Sequence, residues 1–114
     1  MSKIDWKQLT REELNQAESA RNAGNEGRAR VCARRAAGYV AGEYLLRHGI
    51  TLQTESALQK IRYLETSTEI SPSERETLDH FLIHTTPEHK LPIVADLIAD
   101  VRLLARQLLG ELFD

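Results

Sequence analysis

The stretch that decides the fold is RARVCARRAAGYVAGEYLLRH, residues 28–48, which is followed directly by Gly49. Small residues recur every fourth position along one ridge of this stretch, at Ala29, Ala33, Ala37 and Ala41. A ridge of such short side chains lets neighbouring helices approach the backbone closely. Beside it runs a second apolar stripe, formed by Cys32, Ala36, Val40 and Tyr44. A helix that is apolar on more than one side is usually buried. The sequence therefore predicts a central helix over 27–48 that ends before Gly49.

The composition of the chain excludes several classes of protein. With 114 residues, the chain is long enough for one hydrophobic core, so residues 1–114 are expected to form a single domain. Its 15 basic and 17 acidic residues give a formal charge of −2, and this balance gives no general attraction to nucleic acid or anionic membranes. The single cysteine, Cys32, excludes an internal disulfide and favours a buried thiol in a reducing compartment. Residues 1–6 lack the apolar region typical of a signal peptide, and no apolar run approaches the length of about 20 residues that crosses a membrane. We therefore expect a cytoplasmic protein without membrane contact.

Local signals predict where the other helices begin and end. Residues 1–9 are expected to be a lead-in, and Thr10–Glu13 has the pattern of a capping box, which predicts a first helix over about 10–23. Gly24 is suited to end that helix. The helices that remain share apolar residues at helical spacing and are predicted at about 53–65, 72–85 and 92–113. Ser71–Glu74 is a second capping box with proline at the first helical position, and Pro92 opens the last helix. Since no strand pattern competes, the predicted fold is an all-α, antiparallel up-and-down bundle of four to five helices.

The first half of the central helix carries a group of arginines: Arg28, Arg30, Arg34 and Arg35. Positive charge in the first turn opposes the helix dipole, so these side chains are expected to have partners. On a helical wheel they form two pairs, Arg30 with Arg34 and Arg28 with Arg35. One interpretation is ion pairing within the bundle, to Glu12, Glu13, Glu18 or Glu26. The other is a basic patch that contacts phosphate or nucleic acid.

Histidines offer a second candidate site. His80 and His84 are four residues apart on one helix, and Glu76 lies a further turn back. Two histidines at this spacing, with a carboxylate, can bind zinc or another divalent metal. No third firm ligand is identifiable, and histidines near a helix C-terminus have an ordinary explanation as cations in that position. The metal site therefore stays an alternative, and the sequence predicts no cofactor.

A glycine-containing turn is followed by a small-residue helix that ends in bulky apolar residues: Gly24–Gly27, Ala29, Ala33, Ala36–Ala37 and Gly42–Leu45. In this pattern the chain resembles the HEPN superfamily (higher eukaryotes and prokaryotes nucleotide-binding). The resemblance implies an antiparallel helical bundle that works as a homodimer. The family acts in RNA-related and defence systems, including toxin–antitoxin pairs. The resemblance therefore implies a nucleotide, RNA or a nucleotidyltransferase-like protein as partner.

Catalytic HEPN members are metal-independent ribonucleases with an arginine, a polar residue and a histidine in a short motif, and Arg75–His80 matches that spacing. The resemblance implies that His80 would act as general acid or base and that Arg75 would stabilise charge on the phosphate. However, Glu76 occupies the polar position, where its charge would repel the phosphate. The sequence therefore favours a non-catalytic binding module over an enzyme. A ribonuclease that uses Arg75 and His80 is the first alternative, and a metal-binding bundle that uses His80 and His84 is the second.

Overall fold

The structure is a computed structural model that describes residues 5–83 and 96–113. These residues form five α-helices and no strand, which confirms the predicted all-α fold. The helices are α1 (Trp6–Asn22), α2 (Glu26–Arg47), α3 (Ala57–Glu65), α4 (Pro72–Leu82) and α5 (Leu97–Leu109). A short turn joins α1 to α2, so these two helices are antiparallel neighbours. In the described part of the chain, no helix is both long and apolar enough to cross a membrane.

Helix α2 lies at the centre, in contact with α1, α3 and α5. Its small residues are fully buried, as the sequence predicts: Ala29, Ala33, Ala36, Ala37 and Ala41. The buried thiol of Cys32 is confirmed too. Gly38 shows why small residues are needed, since a Cβ built there would lie 2.9 Å from Ala57 Cα and closer still to its Cβ. The first residue of α3 thus rests directly on the backbone of α2.

Several predicted helix ends are confirmed because their signals are local. Gly24 follows α1 with φ +80° and Gly49 follows α2 with φ +73°, a left-handed conformation that glycine adopts readily. The capping box that opens α4 is present in full. The Ser71 backbone N–H donates to Glu74 Oε1 at 2.8 Å, and the Glu74 N–H donates to Ser71 Oγ at 3.1 Å.

The predicted start of the first helix is wrong. Helix α1 begins at Trp6, and Asp5 is its N-cap, with Oδ1 accepting from the Lys7 N–H at 2.9 Å. Thr10 lies inside the helix, where its hydroxyl donates to Trp6 O at 2.7 Å and caps nothing. The earlier start has a physical reason, because Asp is as good an N-cap as Thr and the extra turn carries Trp6 to an edge-on contact with Phe113.

The remaining boundaries differ from the prediction by a few residues. Helix α2 begins at Glu26, one residue earlier than predicted, and α3 begins only at Ala57, after its N-cap Ser56. Asp96 has an extended conformation and caps α5, so a continuous helix over 92–113 is wrong. The predicted opening at Pro92 and the predicted end of the fourth helix at 84–85 lie outside the described residues.

Candidate functional site

Arg75 lies in the first half of α4 and is held by the C-terminal end of α3. Its Nε donates to Glu65 O at 3.2 Å and its Nη2 donates to Ser67 O at 3.1 Å. The last carbonyls of a helix lack partners within the helix, and a cation there is also favoured by the helix dipole. The guanidinium of Arg75 is therefore a clamp between α3 and α4.

His80 lies near the end of α4 and contacts α5. Its Nδ1 is 2.9 Å from Asp100 Oδ2, and only 12% of the Asp100 side chain is exposed. Burial raises the pKa of Asp100, while the hydrogen bond and charge of His80 act in the opposite direction. An ionised Asp100 keeps the hydrogen of the imidazole on Nδ1 and leaves Nε2 as an acceptor. This pair has the chemical form of a histidine oriented by a carboxylate.

The structure does not bring Arg75 and His80 together within one chain. Arg75 contacts α3, whereas His80 contacts α5. Five residues along an α-helix correspond to a rotation of roughly 140° about its axis. The two side chains that ribonuclease chemistry would need at one phosphate thus point to different sides of α4, and Glu76 between them is exposed.

The arginines of α2 divide into two pairs, as the helical wheel predicts. Arg34 is half-buried, and its Nε donates to Phe81 O at 3.1 Å while its Nη2 donates to Ile83 O at 3.4 Å. Burial lowers the pKa of Arg34, and the charge of Arg30 lowers it further. Arg34 therefore caps the end of α4 much as Arg75 caps the end of α3. Arg30 lies near Glu26 and helps to lower the pKa of that carboxyl, after the larger effect of Arg21.

Arg28 and Arg35 form the second pair, and both are exposed. The amide oxygen of Gln16 accepts from Arg28 Nη2 at 3.4 Å. Arg35 makes no hydrogen bond or ion pair with the residues that the structure describes. The spacing of seven residues places both on one side of α2, about 10 Å apart along the axis.

The expected ion pairs between this arginine group and the glutamates are wrong for Arg28, Arg34 and Arg35. Two of the four glutamates are paired with arginines from outside this group. Glu26 accepts from Arg21 at 2.8 Å, and Glu18 accepts from Arg102. Because Arg21 also binds Asp96, the N-cap of α5, these pairs connect α1 to α5. Glu12 instead accepts from Gln8 Nε2 at 3.2 Å, and Glu13 Oε1 is buried with no hydrogen-bond partner among the described residues.

The predicted metal alternative is only partly within the described structure. His80 already binds Asp100 through Nδ1, and His84 lies outside the described residues. Across residues 5–83 and 96–113, no group of three side chains is placed to hold a metal ion.

A cavity that sequence reasoning missed lies beside the end of α2. It has a volume of about 410 Å³ and is bounded by the last turns of α2 and α3 and by the segment that joins α3 to α4. Its aromatic lining comes from Tyr44, His48 and Tyr63, and Glu69 stands at its rim. We call it the Tyr44 cavity. Its local signal is the aromatic pair Tyr44 and His48, four residues apart, but the lining residues from 63 to 69 come from a distant part of the sequence.

In the Tyr44 cavity, the imidazole of His48 lies between the ring of Tyr44 and the carboxylate of Glu69. The rings of Tyr44 and His48 have centroids 4.1 Å apart, and His48 Nδ1 lies 3.9 Å from Glu69 Oε2. Burial raises the pKa of Tyr44, and the carboxylates of Glu69 and Glu74 raise it further. The Tyr44 hydroxyl is therefore held in its neutral form by burial and by two nearby carboxylates.

The fold and these sites define a small all-α helical bundle with an aromatic cavity, in which Arg75 and His80 contact different neighbouring helices. Comparison of the chain with protein-family models, with curated proteins and with solved structures finds no match. The HEPN resemblance therefore stays a prediction.

Proposed function

We propose that this chain is a HEPN-like helical domain that binds a protein partner, a nucleotide or RNA without cleaving it, and that it works as a homodimer. The observation that carries the non-catalytic part is the separation of Arg75 from His80. The guanidinium of Arg75 donates hydrogen bonds to backbone carbonyls of α3 and of the segment after it. The Nδ1 atom of His80 is hydrogen-bonded to Asp100. The dimer and the choice of partners rest on the resemblance.

The exposed pair Arg28 and Arg35 supports contact with a phosphate-bearing ligand. The other arginine pair is less suited, because Arg34 is bound to carbonyls at the end of α4. Guanidinium groups bind phosphate through charge-assisted hydrogen bonds, and such contacts dominate the affinity for nucleic acid. We therefore place the ligand-binding face on the side of α2 that carries Arg28 and Arg35.

Titration of labelled single-stranded RNA with the purified protein at several salt concentrations tests this face. We expect binding that weakens with salt, and the double variant Arg28→Ala, Arg35→Ala should reduce the slope of log K against log salt by about 1 to 2. Arg62→Ala is the matched control, since Arg62 is an exposed arginine on α3. Unchanged binding by the double variant, or an equal loss in the control, would contradict the proposed face. Light scattering tests the dimer by measuring the molar mass in solution. A strict monomer at micromolar concentration would contradict the proposed homodimer.

A metal-independent ribonuclease of toxin–antitoxin type is the second candidate, and one observation favours it. The His80–Asp100 pair orients an imidazole in the way that general acid–base catalysis uses. This candidate expects RNA cleavage in the presence of a metal chelator, and loss of cleavage in His80→Ala but not in Arg62→Ala. The leading proposal expects no cleavage by any of these proteins.

A further inference from the structure

The chemistry of the Tyr44 cavity differs from that of the arginine face. Two phenol rings and an imidazole line it, and Leu45, Leu64 and Ile50 provide apolar surface. None of its lining residues is lysine or arginine. The rim carries the carboxylate of Glu69, whose side chain is 71% exposed and can turn toward a ligand. A lining with one carboxylate and with neither lysine nor arginine favours a cation over a phosphate or carboxylate ligand.

The second carboxylate near Tyr44 is fixed in place. Glu74 Oε1 accepts from the Ser71 N–H in the capping box that opens α4. Burial is the main cause that raises the pKa of Tyr44, and the charges of Glu69 and Glu74 raise it further. Two carboxylates from different segments therefore add negative charge on the Tyr44 side of the cavity.

The polar groups of the cavity rim are partly occupied. The Thr66 hydroxyl donates to Tyr63 O at 2.7 Å, and Ser67 Oγ accepts from the Glu69 N–H. The phenol groups of Tyr44 and Tyr63 make no hydrogen bond to any residue that the structure describes. The His48 ring packs against one face of Tyr44, so the features that the cavity offers to a ligand are the exposed ring of Tyr63, the side of the Tyr44 ring away from His48 and the Glu69 carboxylate.

These features match a known mode of recognition. The face of an aromatic ring attracts a cation, and pockets of aromatic rings bind quaternary and methylated ammonium groups. Methyl groups on such a cation pack on apolar surface, while a carboxylate balances its charge. The volume of about 410 Å³ lies within the range of ordinary small-molecule sites.

We propose that the Tyr44 cavity binds a small organic cation, a methylated or quaternary ammonium group, against the rings of Tyr44 and Tyr63 with Glu69 as its counter-charge. This site is separate from the Arg28–Arg35 face and does not depend on it.

Calorimetric titration with choline and with its neutral isostere 3,3-dimethylbutanol tests the proposal. We expect choline to bind at least about tenfold more tightly, because the isostere has the same shape without the charge. Tyr44→Phe keeps the ring and should keep the affinity, whereas Tyr44→Leu should weaken choline binding by about tenfold. Glu69→Gln should weaken it by a smaller factor. Tyr39→Leu, on α2 but outside the Tyr44 cavity, is the matched control and should bind choline as the unmodified chain does.

NMR titration of the unmodified protein makes the result independent of variant folding. Choline should shift resonances of Tyr44, His48 and Tyr63. Equal affinity for choline and the isostere, shifts confined to other regions, or no binding of choline or tetramethylammonium at millimolar concentration would each overturn the proposal.

Discussion

The Arg75–His80 segment of α4 and the Tyr44 cavity use their polar side chains in opposite ways. In the segment, Arg75 and His80 are engaged by carbonyls of α3 and its loop and by Asp100. In the cavity, the phenols of Tyr44 and Tyr63 have no hydrogen-bond partner within the described residues, and a space of about 410 Å³ lies before them. A motif identifies side chains that are capable of chemistry, but their partners in the fold decide whether they are available. We expect the segment to matter for stability and the cavity for binding.

The largest effect is expected at Arg75. Arg75→Ala removes two charge-assisted hydrogen bonds, to the last carbonyl of α3 and to Ser67 O in the segment after it, so the free energy of unfolding should fall by about 2 kcal/mol. Urea denaturation measures the change. Glu76→Ala, at an exposed position on the same helix, should change it by less than about 0.5 kcal/mol. Equal stability of the two variants would mean that Arg75 is free for another role.

His80→Ala should lower the free energy of unfolding slightly less than Arg75→Ala does, by about 1 to 2 kcal/mol. The reason is that it leaves the buried carboxyl of Asp100 without its partner. The companion variant Asp100→Asn retains an oxygen that can accept from Nδ1 and should cost less than Asp100→Ala. Thermal and urea unfolding at pH 7 would show the order. A stable His80→Ala that has lost an activity would instead support the ribonuclease alternative.

A third effect concerns the carboxyl of Glu65, beside the Arg75 clamp. Burial and the nearby carboxylate of Asp79 raise the pKa of Glu65 to about 7. Its Oε1 is buried with no hydrogen-bond partner in the described part of the chain, so the charged form is poorly accommodated. Since the folded state holds this proton more tightly than the unfolded chain, stability is full below about pH 4.5 and falls as the pH rises through 7.

The free energy of unfolding should fall by about 1 kcal/mol as the pH rises through 7, a modest change because water screens a partly exposed carboxyl. Glu65→Gln should remove this part of the pH dependence and be the more stable protein at pH 8, whereas Glu76→Gln should follow the unmodified chain. Free energies of unfolding at pH 5 and pH 8 check both. An identical pH dependence in Glu65→Gln and the unmodified chain would contradict the raised pKa.

The smallest effect on stability is expected in the Tyr44 cavity. Glu69 is mostly exposed, and its contact with His48 is 3.9 Å, so Glu69→Gln should change the free energy of unfolding by less than about 0.5 kcal/mol. Thermal unfolding measures this. A large loss of stability would show that Glu69 supports the fold, and the contrast between segment and cavity would then fail.

The sequence predicts the parts of this structure that depend on neighbouring residues. The ends at Gly24 and Gly49 and the capping box at Ser71 need only a few residues of context, and they are confirmed. The start of α1 is missed because Asp5 and Thr10 are both suitable N-caps, so local sequence does not choose between them. The helix begins after Asp5, and this start allows a tertiary contact between Trp6 and Phe113.

Predictions that depend on distant residues fail for a related reason. Glu18 pairs with Arg102 across 84 positions of the chain, which no local pattern indicates. The Tyr44 cavity combines residues from the ends of two helices and a polar segment that, as sequence, indicates only a helix break. The arrangement of Arg75 and His80 around α4 could be inferred from helix geometry, but their partners could not.

A double-mutant cycle between Arg75 and His80 tests most directly whether they are two separate structural contacts. The free energy of unfolding is measured for Arg75→Ala, His80→Ala, the double variant and the unmodified chain. We predict losses that add to within about 0.5 kcal/mol, as for residues without shared partners. The cycle between His80 and Asp100 serves as the positive control, and it should show a coupling of about 1 kcal/mol or more. A coupling of that size between Arg75 and His80 would contradict the account, because it would mean that the two side chains share one site.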